Sequence, residues 1–230
     1  MQLAIDVSSN IAGLALSDKD RFVAEVVWHC GQNHTVELLP SLIRLLEQGN
    51  VRLQDISGIA VAKGPGSFNA LRVGISTASG LSLSLGIPVV GISTLEIEAW
   101  PFAFTGLMIC PIHNAGRGEI AAATYQYKMG EWCQIEAEHI TTIDALCSKT
   151  NSSTLFCGEL SPAMESQIVE ALEERAIIPS QTVRLRRPEY LCDLGWMRLQ
   201  RHEFDDPATL QPSYLRKPPI TQPRDKSILR

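Results

Sequence analysis

The chain has 230 residues, 45% of them hydrophobic and 20% charged, with a formal net charge of −5 at pH 7, enough apolar material for one large domain or two small lobes. No stretch approaches the roughly 18 consecutive apolar residues of a membrane-spanning helix, and Met1-Gln2-Leu3-Ala4-Ile5-Asp6 has no basic segment leading into an apolar run, so a cytoplasmic location is expected. Six cysteines without a Cys-x-x-Cys pair, and five histidines without a His-x-x-x-His, argue against a disulfide framework, a zinc knuckle or a helical metal site.

In chain order, the opening reads as a three-stranded meander: Gln2 to Val7, a Ser8-Ser9-Asn10 turn, Ala12 to Ser17, an Asp18-Lys19-Asp20 turn, and Phe22 to Trp28. A helix is expected over Thr35 to Gln48, with Thr35 as N-cap and Val36, Leu39, Ile43 and Leu46 on one face. Pro40 is expected to kink that helix or delay its start. A buried strand over Ile56 to Ala62 runs through Gly64-Pro65-Gly66-Ser67 into a helix from Asn69 to Leu85, followed by a strand at Pro88 to Ile92 and a helical segment at Thr94 to Trp100. Phe102 to Gly106 reads as a junction, placing a first lobe at residues 1–103 and a second, smaller lobe at 104–230.

The second half repeats the order with different residues. Strands are expected at Leu107 to His113, Glu119 to Tyr127 and Trp132 to His139, then a helix at Ile143 to Ser148, a strand at Thr154 to Cys157, a helix at Pro162 to Arg175 and a strand near Thr182 to Leu185. A final helix over Glu189 to His202 precedes an irregular end marked by Pro207, Pro212, Pro218, Pro219 and Pro223. Two α/β units of duplicated βββαβα order predict two lobes with a cleft between them, the actin-like ATPase or ribonuclease H-like architecture. Residues 184 to 230 carry ten Lys/Arg against six Asp/Glu. Arg184, Arg186 and Arg187 form the tight cluster there, without interleaved aromatic residues, and a solvated end is expected rather than a nucleic-acid patch.

Asp6 stands where proteins of that architecture place a magnesium ligand, yet Val7-Ser8-Ser9-Asn10 supplies neither glycine nor lysine for phosphate. Capping the turn is the commoner role of an Asp in this position. Gly64, Gly66 and Ser67 admit two uses, a phosphate cradle or a turn that launches a helix. Within that helix Ala70, Gly74, Ala78 and Ser82 recur every four residues, a stripe that faces either the protein's own sheet or a helix of another chain.

Ala4-Ile5-Asp6-Val7-Ser8-Ser9, His34-Thr35 with Leu39-Pro40, and Gly64-Pro65-Gly66-Ser67-Phe68 leading to Leu71-Arg72-Val73-Gly74 resemble the TsaB (YeaZ) family, as do Gly118-Glu119-Ile120 and Pro212-x-Tyr214-Leu215-Arg216. Departures from that family's pattern are Asn69-Ala70 in place of Thr-Gly, and Asn114, Gly116 and Ala121 in the segment before and after Gly118. The resemblance implies a non-catalytic subunit of the complex that makes threonylcarbamoyladenosine in tRNA. It also implies a catalytic TsaD partner, a TsaE ATPase, a homodimer when the chain is alone, and ATP and magnesium only at the level of the complex; tRNA would be met indirectly. On the first-lobe helices it implies an interface of Val36, Leu39, Ile43, Leu46, Ala70, Leu71, Gly74, Ile75, Ala78 and Ser82. The alternative expectation is an active ATPase or small-molecule kinase using Asp6 and the Gly64 to Ser67 loop.

Overall fold

The computed structural model of the chain describes residues 1–19 and 21–215; Asp20 of the second expected turn, Arg216, Pro218, Pro219 and Pro223 lie outside that range. The first lobe grows from alternation in its opening strand. In β1 (Gln2–Asp6), Leu3 and Ile5 point to one face of the sheet and Ala4 to the other. β1 pairs antiparallel with β2 (Ile11–Asp18), and β2 pairs antiparallel with β3 (Arg21–His29). β4 (Gly58–Ala62) joins β1 in parallel and β5 (Val89–Ile92) joins β4 in parallel, giving the order β3-β2-β1-β4-β5.

On the Leu3 face lie α1 (His34–Gly49) and α2 (Phe68–Leu85), which bury Leu38, Leu42, Leu45, Ile75 and Ala78. Each fully buried leucine there contributes about 1.5–3 kcal/mol over leaving it exposed. α1 starts one residue earlier than expected. Asn33 occupies the cap position without a side-chain cap bond, and His34 Nε2 lies 2.9 Å from the Ser9 carbonyl oxygen, which ties the first turn to the β1–β2 turn. Pro40 stays inside the helix with its ring in solvent.

The second lobe repeats the plan with β6 (Met108–Gly116), β7 (Glu119–Lys128) and β8 (Glu131–Thr141) antiparallel, then α4 (Ile143–Lys149), β9 (Thr154–Gly158), α5 (Pro162–Leu172) and β10 (Ala176–Ile177). β9 pairs in parallel with both β6 and β10, giving the order β10-β9-β6-β7-β8. α3 (Thr94–Ala99) lies between the lobes, with Ile97 in a first-lobe cluster and Leu95 and Ala99 packed with Ile109 and Leu155 of the second.

Two expectations change. No strand forms at Thr182 to Leu185: residues 181–184 make a turn, and β10 supplies the fifth strand directly after α5. The alternation that suggested a strand there is inverted, for Val183 and Leu185 are each 54% exposed while Arg184 and Arg186 turn inward. In addition α6 (Pro188–Gln200), read from sequence with the second lobe, packs on the free face of the first sheet, where Leu191 and Leu194 meet Ala4, Ala15, Ala60 and Ala62. Gly195 allows this approach, since a Cβ there would collide with Gln2 and Ala60.

Candidate functional site

The glycine turn after β4 is occupied by the protein itself. Gly64 has φ +108°, outside the range side-chain-bearing residues favour, and precedes a cis Pro65. Gly66 lies against Ser8, whose Cβ would be 2.9 Å from an added Cβ. The Ser67 N–H donates to the Ser8 carbonyl at 2.7 Å and the Thr94 N–H to the Gly64 carbonyl at 2.8 Å. The turn therefore joins β1, α2 and α3 and launches α2 at a fixed angle.

Asp6 ends β1 and has both carboxylate oxygens engaged. Oδ1 accepts from the Ser8 N–H at 3.0 Å and the Ser8 hydroxyl at 2.7 Å, the capping geometry of an Asp at a turn. Oδ2 accepts from Arg186 Nε at 2.7 Å. The same guanidinium donates through Nη1 to Glu98 Oε1 at 2.8 Å and through Nη2 to Ser9 Oγ at 3.0 Å. The side chains of Arg186, Asp6 and Glu98 are all 10% exposed or less. Burial works against the Arg186 charge, but Asp6 and Glu98 outweigh it and hold the guanidinium protonated. Burial also pushes the Glu98 carboxyl up to about 8 against the pull of Arg186, and Glu98 Oε2 has no hydrogen-bond partner among the described residues. His113 Nδ1 lies 3.2 Å from Glu159 Oε2 nearby, and burial lowers the His113 pKa despite Glu159.

This ionic cluster spans the cleft between the lobes, beside a cavity of about 660 Å³ lined by Asp6, Glu98, Glu159, Arg186 and Tyr190 among others. Sequence reasoning found Asp6 and missed Arg186 and Glu98. The available signals were two glutamates inside the apolar run Leu95-Glu96-Ile97-Glu98-Ala99 and the compact arginine cluster. That cluster is no solvated end: Arg184 pairs with Glu165, Arg186 with Asp6 and Glu98, and Arg187 with Glu25 at 2.6 Å and Glu189 at 3.0 Å.

The small stripe of α2 faces inward. Ala70, Leu71, Gly74, Ile75, Ala78 and Ser82 are all buried, an added Cβ on Gly74 would lie 2.5 Å from Val7 Cγ2, and the Ser82 hydroxyl donates to the Ile87 carbonyl at 2.6 Å. These six residues hold α2 on its own sheet, and the expectation that they meet a partner is corrected on that ground. α1 is different. Val36, Leu39 and Ile43 are 74%, 53% and 58% exposed, while Leu46 packs partly into the core. Next to this row, α2 turns Arg72, Ser76, Gly80 and Leu83 to solvent. Of the family departures, Asn69 and Ala70 lie in the first turn of α2, Asn114 and Gly116 close the β6–β7 hairpin, with Asn114 Oδ1 accepting from the Gly116 N–H at 2.8 Å, and Ala121 is buried in β7.

A family model described as "TsaD: tRNA N6-adenosine threonylcarbamoyltransferase" matches residues 28–218. The tRNA threonylcarbamoyladenosine biosynthesis protein TsaB of Bacillus subtilis (strain 168) is 34% identical over 218 residues, 93% of each chain. A crystal structure from Pseudomonas aeruginosa, titled as an uncharacterized protein with similarity to peptidase YEAZ, superposes with a TM-score of 0.79 at 25% identity, covering 94% of this chain and 99% of that one. A second Pseudomonas aeruginosa structure, YeaZ, gives a TM-score of 0.77 at 24% identity over 93% and 99% of the two chains, a likeness of fold. The two-lobed actin-like α/β fold and the relatives agree, and the chain belongs to the TsaB (YeaZ) family of tRNA threonylcarbamoyladenosine biosynthesis proteins.

Proposed function

We propose that the chain is a non-catalytic, activating subunit in the transfer of threonylcarbamoyl to the adenosine next to the anticodon of tRNA, and that the outward face of α1 and α2 binds the TsaD-type catalytic subunit. One observation carries the reading. α1 already fills the core with Leu38, Leu42 and Leu45, yet presents a second apolar row, Val36, Leu39 and Ile43, to solvent. A solvent-facing helix normally needs one apolar stripe, and an additional exposed one marks a protein contact. Beside it, Gly80 has nothing within 4 Å of an added Cβ, so a partner helix can approach to the short end of the usual 8–10 Å.

The cleft supports a non-catalytic role, because Asp6, the residue placed for magnesium, spends both oxygens on Ser8 and Arg186. In this reading a TsaE-type ATPase joins the complex and brings the ATP and magnesium, and the α1–α2 face closes a homodimer when the catalytic subunit is absent. Ile43→Arg tests it by co-purification with the TsaD-type subunit of the same organism and by size-exclusion chromatography. At a 58% exposed site the substitution should change folding stability by no more than about 0.5 kcal/mol, while both associations weaken at least tenfold. Undiminished association would overturn the interface.

A further inference from the structure

The amino end of α2, at one end of its outward face, carries an arrangement that the ionic cluster does not use. Phe68 and Tyr214 are stacked, with ring centroids 5.1 Å apart and planes at 26°, and both rings remain partly open, at 44% and 40% exposure. The Arg72 guanidinium lies 5.0 Å from the centroid of the Phe68 ring. Arg72 and Tyr214 are two walls of a groove of about 270 Å³ whose other sides include Ile75, Ser76 and Leu210. Tyr214 is held there by the segment behind it: Ser213 donates its N–H to the Lys63 carbonyl at 2.7 Å, and Asp205 bridges to Val89 at the edge of β5.

A half-exposed aromatic stack beside a guanidinium forms the kind of surface on which an unpaired base stacks, with the cation placed for the adjoining phosphate. The nearest carboxylates of the segment are turned to the backbone, Asp205 accepting from the Gly91 N–H at 2.7 Å and Asp206 from the Ala208 N–H at 2.9 Å. The platform also stands beyond the carboxyl end of β4, one of the parallel strands of the first sheet, on the side where ligands are met in open α/β sheets.

We propose that Phe68, Arg72 and Tyr214 form a contact site for single-stranded RNA, taking an unpaired base against Tyr214 and its flanking phosphate at Arg72. The proposal rests on the tRNA-modifying reading for the identity of the RNA and goes beyond it, because it gives this subunit its own contact with the substrate. The test uses an unmodified tRNA transcript titrated against the full chain alone and against its complex with the TsaD-type subunit, read by fluorescence anisotropy at several salt concentrations. Tyr214→Leu keeps apolar bulk but removes the ring, and should weaken binding at least fivefold, the low end for loss of one stacked base. Tyr214→Phe should bind as the wild type does. Arg72→Glu should weaken binding and reduce the log–log salt slope by about one. Unchanged affinity in Tyr214→Leu and Arg72→Glu overturns the site. So does loss of the protein partner with RNA affinity of the isolated chain unaltered, which would make this surface part of the protein interface. Failure of the chain to associate with the TsaD-type subunit is scored separately by co-purification and leaves the titration of the isolated chain interpretable.

Discussion

Replacing Arg186 with Met removes one side chain from three polar contacts while leaving an apolar stem of similar length. Asp6 and Glu98, 4% and 5% exposed, then lose the guanidinium that approached them at 2.7 and 2.8 Å. Removing one partner of a buried pair costs about 3–5 kcal/mol, since the remaining charge is buried and uncompensated. Here Asp6 is the charge left orphaned at pH 7, since burial pushes the Glu98 carboxyl up to about 8; Asp6 keeps two donors from Ser8, and the adjoining cavity of about 660 Å³ admits water. The low end, about 3 kcal/mol at pH 7, is therefore expected, a large part of the 5–15 kcal/mol that separates most folded domains from unfolding. Urea unfolding followed by circular dichroism measures it. The loss should grow as pH rises through about 8, where the Glu98 carboxyl, pushed up to about 8 by burial, gives up its proton in the wild type and gains most from Arg186. The triple variant Asp6→Asn, Glu98→Gln, Arg186→Met should recover most of it, because no unpaired charge remains. A loss under about 1 kcal/mol, or a triple variant no better than the single one, refutes the reasoning.

Gly74→Leu places a branched side chain where even a Cβ would lie 2.5 Å from Val7 Cγ2; overpacking of this kind costs about 1–3 kcal/mol, and the isolated chain should lose that stability in thermal or urea unfolding, a result that an outward-facing Gly74 would not give. Glu98→Gln should gain on the wild type as pH rises from about 5 to 8. A carboxyl whose folded pKa is raised to about 8 contributes stability below its unfolded pKa near 4.3 and loses it as pH climbs through the folded value, so parallel pH–stability curves for the two proteins would count against that assignment.

Most of the architecture was readable because its signals are local. Period-two alternation in Leu3, Ile5 and Val7, the glycine turn after Ala62, and the repeated order of elements need no tertiary information. Boundaries failed where a distant contact decides them: His34 enters α1 because Ser9 is its neighbour in space. The lost strand at Thr182 to Leu185 has the same cause, since its alternation records which side chains reach Glu165, Asp6 and Glu98 rather than a sheet. For the candidate surface, two four-residue stripes competed. The small one on α2 gave the cleaner pattern, yet close packing on β1 needs small residues as much as a partner helix does. The Val36, Leu39, Ile43 row was legible as apolar, but Leu38, Leu42 and Leu45 form a second apolar row, and periodicity cannot say which of the two the sheet takes.

The ionic cluster and the helical face are mechanically connected. Arg186 stands two residues before α6, whose Pro188 closes on Gly13 of β2, 3.0 Å from the position of an added Cβ. α6 then crosses the sheet on the side opposite α1 and α2. Pinning Arg186 to Asp6 and Glu98 thus fixes where α6 begins, and α6 backs the sheet that carries α1 and α2. An enzyme of this architecture needs lobes that close on a ligand; a docking subunit gains by being held in its binding shape beforehand, because the ordering cost of association falls. In the proposed docking role, the guanidinium between the lobes favours a fixed shape over closure.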